Sequence, residues 1–180
     1  KTDYIDVYFL HHFDYETPIE QTLRALDDLV KSGKIHYIGV SNFAAWQTVQ
    51  AIGVSIHQGL AKIEVVQPMY NLVKRQAEVE ILPMAEANNI GVIPYNPLGA
   101  GLLTGKYGTN FRPESGRLLD SQMYKKRYSE KIYFEVAEQF SSLAKKYGVD
   151  PVSLSLAWVS SHPAVTAPIV GARNLEQLEG

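Results

Sequence analysis

IDVYFL (residues 5–10), TPIE (residues 17–20) and IHYIGV (residues 35–40) decide the fold of this chain. The first and third runs are short, β-branched and aromatic, as strands are. Between them Thr17 can cap, Pro18 suits the first helical turn, and Glu20 stands at the capping-box position. Leu23, Leu26, Leu29 and Val30 then recur at helical spacing up to Gly33, a good C-terminal stop. The three segments therefore spell strand, helix, strand.

The same alternation continues outward. A helix is expected from about Ala44 through Trp46, Val49 and Ile52. A third strand is expected at IEVV (residues 63–66), then a helix over residues 76–89 with Pro83 inside it. A fourth strand is expected at GVIPY (residues 91–95). Residues 96–130 read as a long connection, functional or disordered, with five glycines and two prolines before position 117. Helices over 131–147 and 151–161 come next, Asp150 capping the second. A fifth strand is expected at VTAPIV (residues 165–170), and Asn174 caps a last helix with Gln177 three residues on. Five βα units imply a parallel sheet. From the residues alone it is either an open doubly wound sheet or part of a closed barrel.

The chain has 180 residues, 46% of them hydrophobic and 20% charged, enough for one domain with a sizeable core. A net charge of -2 offers no basic face for nucleic acid. With no cysteine, disulfides and thiolate chemistry are excluded, which fits the cytoplasm. No apolar run approaches the ~20 residues of a membrane helix, and no secretory signal is visible, so neither membrane nor nucleic acid is an expected partner. The chain begins at Lys1 rather than Met, and its last residues resemble a helix cut short. Both ends read as interruptions of a longer protein.

The polar residues just beyond each strand carry the chemistry. His11 stands after the first, Ser41 and Asn42 after the second, Gln67 after the third, Tyr95 and Asn96 at the end of the fourth, and Gly171 to Arg173 after the fifth. In a βα barrel these positions share one face, where barrel enzymes place their active sites. Taken singly, each has a plainer role: Ser41 and Asn42 as helix starters, Tyr95 as a core aromatic, His11 as a satisfied buried histidine, Arg173 as a solvated charge. Other motifs fail. GAGLLT (residues 99–104) lacks the third glycine of a dinucleotide fingerprint. The GVSNF run (residues 39–43) lacks the last glycine of a nucleophile elbow. His11, His12 and Asp14 do not make a metal site, since strand neighbours point to opposite faces.

YIDVYFLH (residues 4–11), GVSNF (39–43), QPMYNL (67–72), YNPLGAGLLTGKY (95–107) and PIVGARNLEQ (168–177) together resemble the aldo-keto reductase superfamily. The branch is the one containing bacterial aldo-keto reductases and the β subunits of voltage-gated potassium channels. The resemblance covers essentially the whole chain. It implies a (β/α)8 TIM barrel, of which this single domain holds roughly strands four to eight. It implies an NADPH-dependent reductase of aldehydes or ketones, oligomeric state open. His11 would orient the substrate carbonyl and share in proton transfer. Ser41, Asn42 and Gln67 would hydrogen-bond the nicotinamide carboxamide, and Tyr95 would stack on its ring. Asn96, Pro97 and Leu98 would line the pyrophosphate path with Lys106 supplying charge. Arg117 would clamp phosphate, and Gly171, Arg173 and Gln177 would hold the adenosine phosphate. An arginine beside a helix N-terminus suits a 2′-phosphate, which favours NADPH over NADH.

The chain departs from the family pattern twice. Asn96 stands where members often have Ser. The family's catalytic tyrosine, lysine and aspartate lie on the first three βα units and have no counterpart here. The competing readings are a non-catalytic cofactor-binding subunit of the channel β type, and an unrelated barrel such as a phosphate-binding isomerase.

Overall fold

The computed structural model describes residues 2–179. The chain falls into two compact units. The first comprises the residues up to Met69 with Gln76–Pro94 and Ala164–Ala167. The second comprises Tyr70–Arg75, Tyr95–Pro163 and the residues from Pro168 on.

The first unit is a parallel sheet with helices against it. Its elements are β1 (Ile5–Leu10), α1 (Ile19–Lys31), β2 (Ile35–Ser41), α2 (Ala45–Gln58), β3 (Ile63–Gln67), α3 (Ile81–Ala87) and β4 (Gly91–Val92). The strands lie in the order β1-β2-β3-β4, all parallel, and each crossover carries an α-helix. β2 is buried along most of its length, as a strand covered on both faces must be, and Ile35, Ile38 and Val40 join Ile63, Val66 and Val92 in the core. β1 is far more open, with Ile5 48% and Tyr8 41% exposed. Asp27, on the buried face of α1, accepts from the Ala61 N–H at 2.9 Å and pairs with Lys31 at 2.5 Å. It thereby ties α1 to the turn after α2. Lys31 beside it holds its carboxyl below the usual carboxylate value.

The elements expected for the first unit show four differences. Thr17 does not cap α1; Pro18 holds that position without a side-chain cap, and Thr17 hydrogen-bonds Asp14 instead. The helix stop is as expected: Gly33 (φ 71°) and Lys34 donate to Val30 and Leu29 at 2.9 and 3.0 Å. The expected helix over 76–89 is split into a 3-10 turn, Gln76–Glu78, and α3. Pro83 lies in the first turn of α3, where its missing N–H costs nothing. The fourth strand ends as a ladder at Val92. The fifth does not form among the described residues: Thr166 and Ala167 donate to the Val92 carbonyl, but the Thr166 hydroxyl takes the Val92 N–H at 3.0 Å. With that donor taken by a side chain and Pro168 lacking an N–H, no ladder extends.

The second unit holds the 3-10 segment Gly99–Thr104, α4 (Arg117–Asp120), α5 (Gln122–Arg127), α6 (Lys131–Lys146), α7 (Pro151–Ser160) and α8 (Leu175–Glu179). Residues 96–130, expected as a long functional or disordered connection, are packed and hold α4 and α5. Leu102, Leu103, Tyr107, Leu118 and Tyr128 are buried with Ala137 and Phe140 of α6 in one apolar cluster. Asp150 caps α7 as expected, accepting from the Val152 and Ser153 N–H groups at 2.8 and 3.1 Å. Asn174 caps α8 by accepting from Gln177 N at 3.0 Å. No helix among the described residues is long and apolar enough to cross a membrane.

Candidate functional site

Parallel pairing brings the ends of β1, β2 and β3 to one edge, with Leu10 opposite Val40 and Ser41 opposite Gln67. The polar residues at these ends are joined. The Ser41 hydroxyl donates to the Gln67 carbonyl at 2.8 Å. The Asn42 amide donates to the His11 carbonyl at 2.9 Å and to the Ser41 hydroxyl at 3.2 Å. Asn42 has φ 54°, a left-handed turn that asparagine tolerates better than most residues, and this lets its side chain reach back across the strands. The structure thus brings together His11, Ser41, Asn42 and Gln67, the four candidates of the first unit.

His11 and His12 are exposed, their rings 4.3 Å apart. Beyond them Phe13 makes edge contacts with Tyr15 at 5.0 Å and Phe43 at 5.2 Å. The Tyr15 hydroxyl accepts from Gln47 at 3.1 Å, and Gln47 caps α2 by accepting from Ala44 N at 2.8 Å. The loop after β1 is therefore pinned to the start of α2.

The remaining candidates lie in the second unit. Tyr95 is half-buried; burial pushes its phenol up, and Arg127 hydrogen-bonds it. Asn96 is wholly engaged. Its amide nitrogen donates to the Tyr128 hydroxyl at 2.8 Å, its side-chain oxygen accepts from Ala100 N at 2.6 Å, and its carbonyl accepts from the Asn71 amide at 3.0 Å. The Pro97 carbonyl accepts from the buried Ser155 hydroxyl at 3.0 Å. The Leu98 carbonyl accepts from Gly101 N and Leu103 N. In the glycine-rich run the N–H groups of Gly99, Ala100, Gly101 and Leu103 are all spent inside the segment. Those four N–H groups are therefore taken, and cationic side chains become the groups of interest for an anion.

Those side chains are present. Lys106, Arg117 and Arg173 are exposed. Tyr107 is buried, which pushes its phenol up, as does Asp120, while Arg112 and Arg173 pull the other way. A Cβ on Gly116 would lie 2.6 Å from the Tyr107 hydroxyl. Arg173 and the residue before Arg117 thus share the surroundings of one tyrosine. The Gln177 side chain accepts from Arg173 N at 3.0 Å, so it orders the turn that carries this arginine. Gly171 is exposed, with nothing within 4 Å of a Cβ placed there. Among the described residues no group of three acidic or histidine side chains is placed to hold a metal ion.

Three residues to which the sequence reading gave no role join the second cluster: Asn71, Arg127 and Tyr128. Asn71 lies in the QPMYNL run, but Arg127 and Tyr128 fall in a stretch without periodicity.

The family model described as the aldo/keto reductase family matches residues 1–180. The chain is 37% identical to an uncharacterized oxidoreductase, YrpG, of Bacillus subtilis (strain 168), covering 99% of this chain and 52% of that protein. It is 35% identical to aldo-keto reductase family 7 member A3 of Homo sapiens, covering 97% of this chain and 57% of that protein. It is 34% identical to a probable voltage-gated potassium channel subunit beta of Arabidopsis thaliana, covering 98% and 55%. The chain spans about half the length of the curated relatives it matches.

Proposed function

This chain belongs to the aldo/keto reductase family, and from that premise we propose that the intact protein is an NADPH-dependent reductase of small aldehydes or ketones. These 180 residues would form one domain contributing roughly strands four to eight of a (β/α)8 barrel. The observation that carries the reading is the joined set His11, Ser41, Asn42 and Gln67 on three neighbouring strand ends. Barrel enzymes work from that face.

The residues fit a nicotinamide dinucleotide by their donor sets. The Gln67 amide carries donors and an acceptor matched to a carboxamide, beside Ser41 and Asn42, whose side chains bond each other and the strand ends. Tyr95 offers an aromatic face. Arg173, Arg117 and Lys106 offer cations to phosphates, with Asn96, Pro97, Leu98, Gly171 and Gln177 shaping the backbone around them. A guanidinium suits a 2′-phosphate, which favours NADPH. When bound, the reduced nicotinamide supplies the hydride for the carbonyl carbon. His11 would hold the carbonyl oxygen and share in its protonation, the principal acid being a tyrosine outside these residues. The carboxamide contacts would limit the positional freedom of the ring, where much of the rate of such a transfer arises.

The test is NADPH oxidation by the intact protein, followed by absorbance with a reactive aromatic aldehyde. Aldehyde-dependent oxidation, with NADH much weaker, is the expected result. Binding of NADPH without turnover on any aldehyde or ketone would instead favour a regulatory subunit of the channel β type. His11→Ala should lower kcat by on the order of a hundredfold while leaving the NADPH Kd nearly unchanged. Equal loss of both would remove His11 from its role. Arg173→Ala should weaken NADPH by about tenfold and NADH hardly at all.

A further inference from the structure

Four residues grip two. Tyr95 and Asn96 leave the end of the fourth strand. Their backbone carbonyls accept from Tyr70 N at 3.3 Å and from the Asn71 side chain at 3.0 Å. Their side chains are held from the end of α5: Arg127 hydrogen-bonds the Tyr95 hydroxyl, and the Tyr128 hydroxyl accepts from Asn96 at 2.8 Å. Tyr128 is 1% exposed and accepts from Asn71 as well, at 3.1 Å. The amide orientations are fixed, because the Asn96 oxygen accepts from Ala100 N and the Asn71 oxygen from Val73 N. Each nitrogen must therefore face the tyrosine.

The held backbone is an unusual one. Asn96 has φ 62° although a proline comes after it, and Gly99, Ala100 and Gly101 have φ 58°, 60° and 96°. A left-handed alanine between two left-handed glycines persists only when its surroundings over-determine it. The bond from Ala100 N to the Asn96 side chain is the direct restraint, and Tyr128 fixes the orientation of that side chain.

We propose that Tyr128 is a positioning residue for the cofactor: its hydroxyl sets the Asn96 amide, and through it the 95–101 turn, in the conformation that receives the dinucleotide. This deepens the function proposed above and rests on it. The logic is pre-organisation. A turn already in its bound shape loses less freedom on binding than one that must be ordered.

The test uses the intact protein and NADPH, with Kd read from quenching of intrinsic fluorescence. Tyr128→Phe keeps the ring and removes the acceptor. A rise in NADPH Kd of roughly tenfold is expected, with kcat at saturating cofactor changed by less than about twofold. Hydrogen exchange should quicken in the 96–104 peptide and stay unchanged in α6. Ala144→Gly in α6, a destabilising change away from the turn, should leave the Kd alone. Combining Tyr128→Phe with Asn96→Gly should weaken NADPH no more than Asn96→Gly does by itself, because glycine keeps the left-handed turn but has no amide for Tyr128 to hold. If Tyr128→Phe does not fold, Asn96→Gly carries the same prediction. An unchanged Kd in the folded variant, additive losses in the double variant, or an equal rise in Ala144→Gly would each overturn the proposal while leaving the reductase reading standing. Failure of the unsubstituted protein to bind NADPH would remove both.

Discussion

Phe9 and Gly39 face each other across the β1–β2 pair, and the Phe9 ring occupies the space a Cβ on Gly39 would need. Gly39 is thus a packing requirement, the ring covering the gap. Gly39→Ala should cost about 1–3 kcal/mol by forcing the ring off its rotamer, measured by urea unfolding. A neutral result would mean that β1 shifts freely. Tyr128 makes a second prediction. Burial, against the opposing hydrogen bonds from Asn71 and Asn96 and the charge of Arg127, pushes its phenol up to about 12. A folded value above the unfolded one means that stability is complete below about pH 10 and is lost as pH rises through the folded value. The melting temperature should fall across that window, and Tyr128→Phe should flatten the fall. An equally steep fall in the variant would assign the transition to other groups.

At the scale of elements, α7 shows how far local sequence reaches. Asp150 followed by Pro151 is a complete start signal, and the aspartate caps two N–H groups. Asp150→Ala should destabilise by about 1 kcal/mol, seen as a lower denaturant midpoint. Thr17 carried a similar signal before α1 and did something else, because Asp14, three residues upstream, claimed its hydroxyl. The apolar run at 165–170 had the composition of a strand, but the Thr166 hydroxyl takes the Val92 N–H and Pro168 has none to give. Asp27 belongs to this scale too. Its lowered carboxyl stabilises α1 against the next turn above the ordinary carboxylate range, and that contribution is lost as pH falls through the folded value. Asp27→Asn should therefore lower the melting temperature near neutral pH and narrow its difference from the parent as pH falls through the folded value. The strand-end candidates were legible because each stands directly after an apolar run. The clamp on Tyr95 and Asn96 was not, because Tyr128 lies 57 residues from Asn71 and 32 from Asn96, and nothing local announces such a pairing.

For the molecule as a whole, the parallel sheet of the first unit arises from the strand–helix alternation, whereas the packing of residues 96–130 depends on long-range contacts that no local pattern encodes. β1 is an edge strand with Ile5 and Tyr8 exposed. An open, apolar edge invites pairing with another chain. These 180 residues expressed by themselves should self-associate, and Tyr8→Lys should reduce the association, followed by sedimentation. A monomeric parent chain would contradict this. The sheet order carries one more consequence. β1 pairs with β2, β2 with β3 and β3 with β4, so every strand meets the one made just before it. On the ribosome, emerging at roughly 5–20 residues per second, the sheet can grow by one strand at a time at the tunnel exit. Asn71 must wait several seconds longer for Tyr128 at that rate, so the turn they hold closes late in the life of the nascent chain.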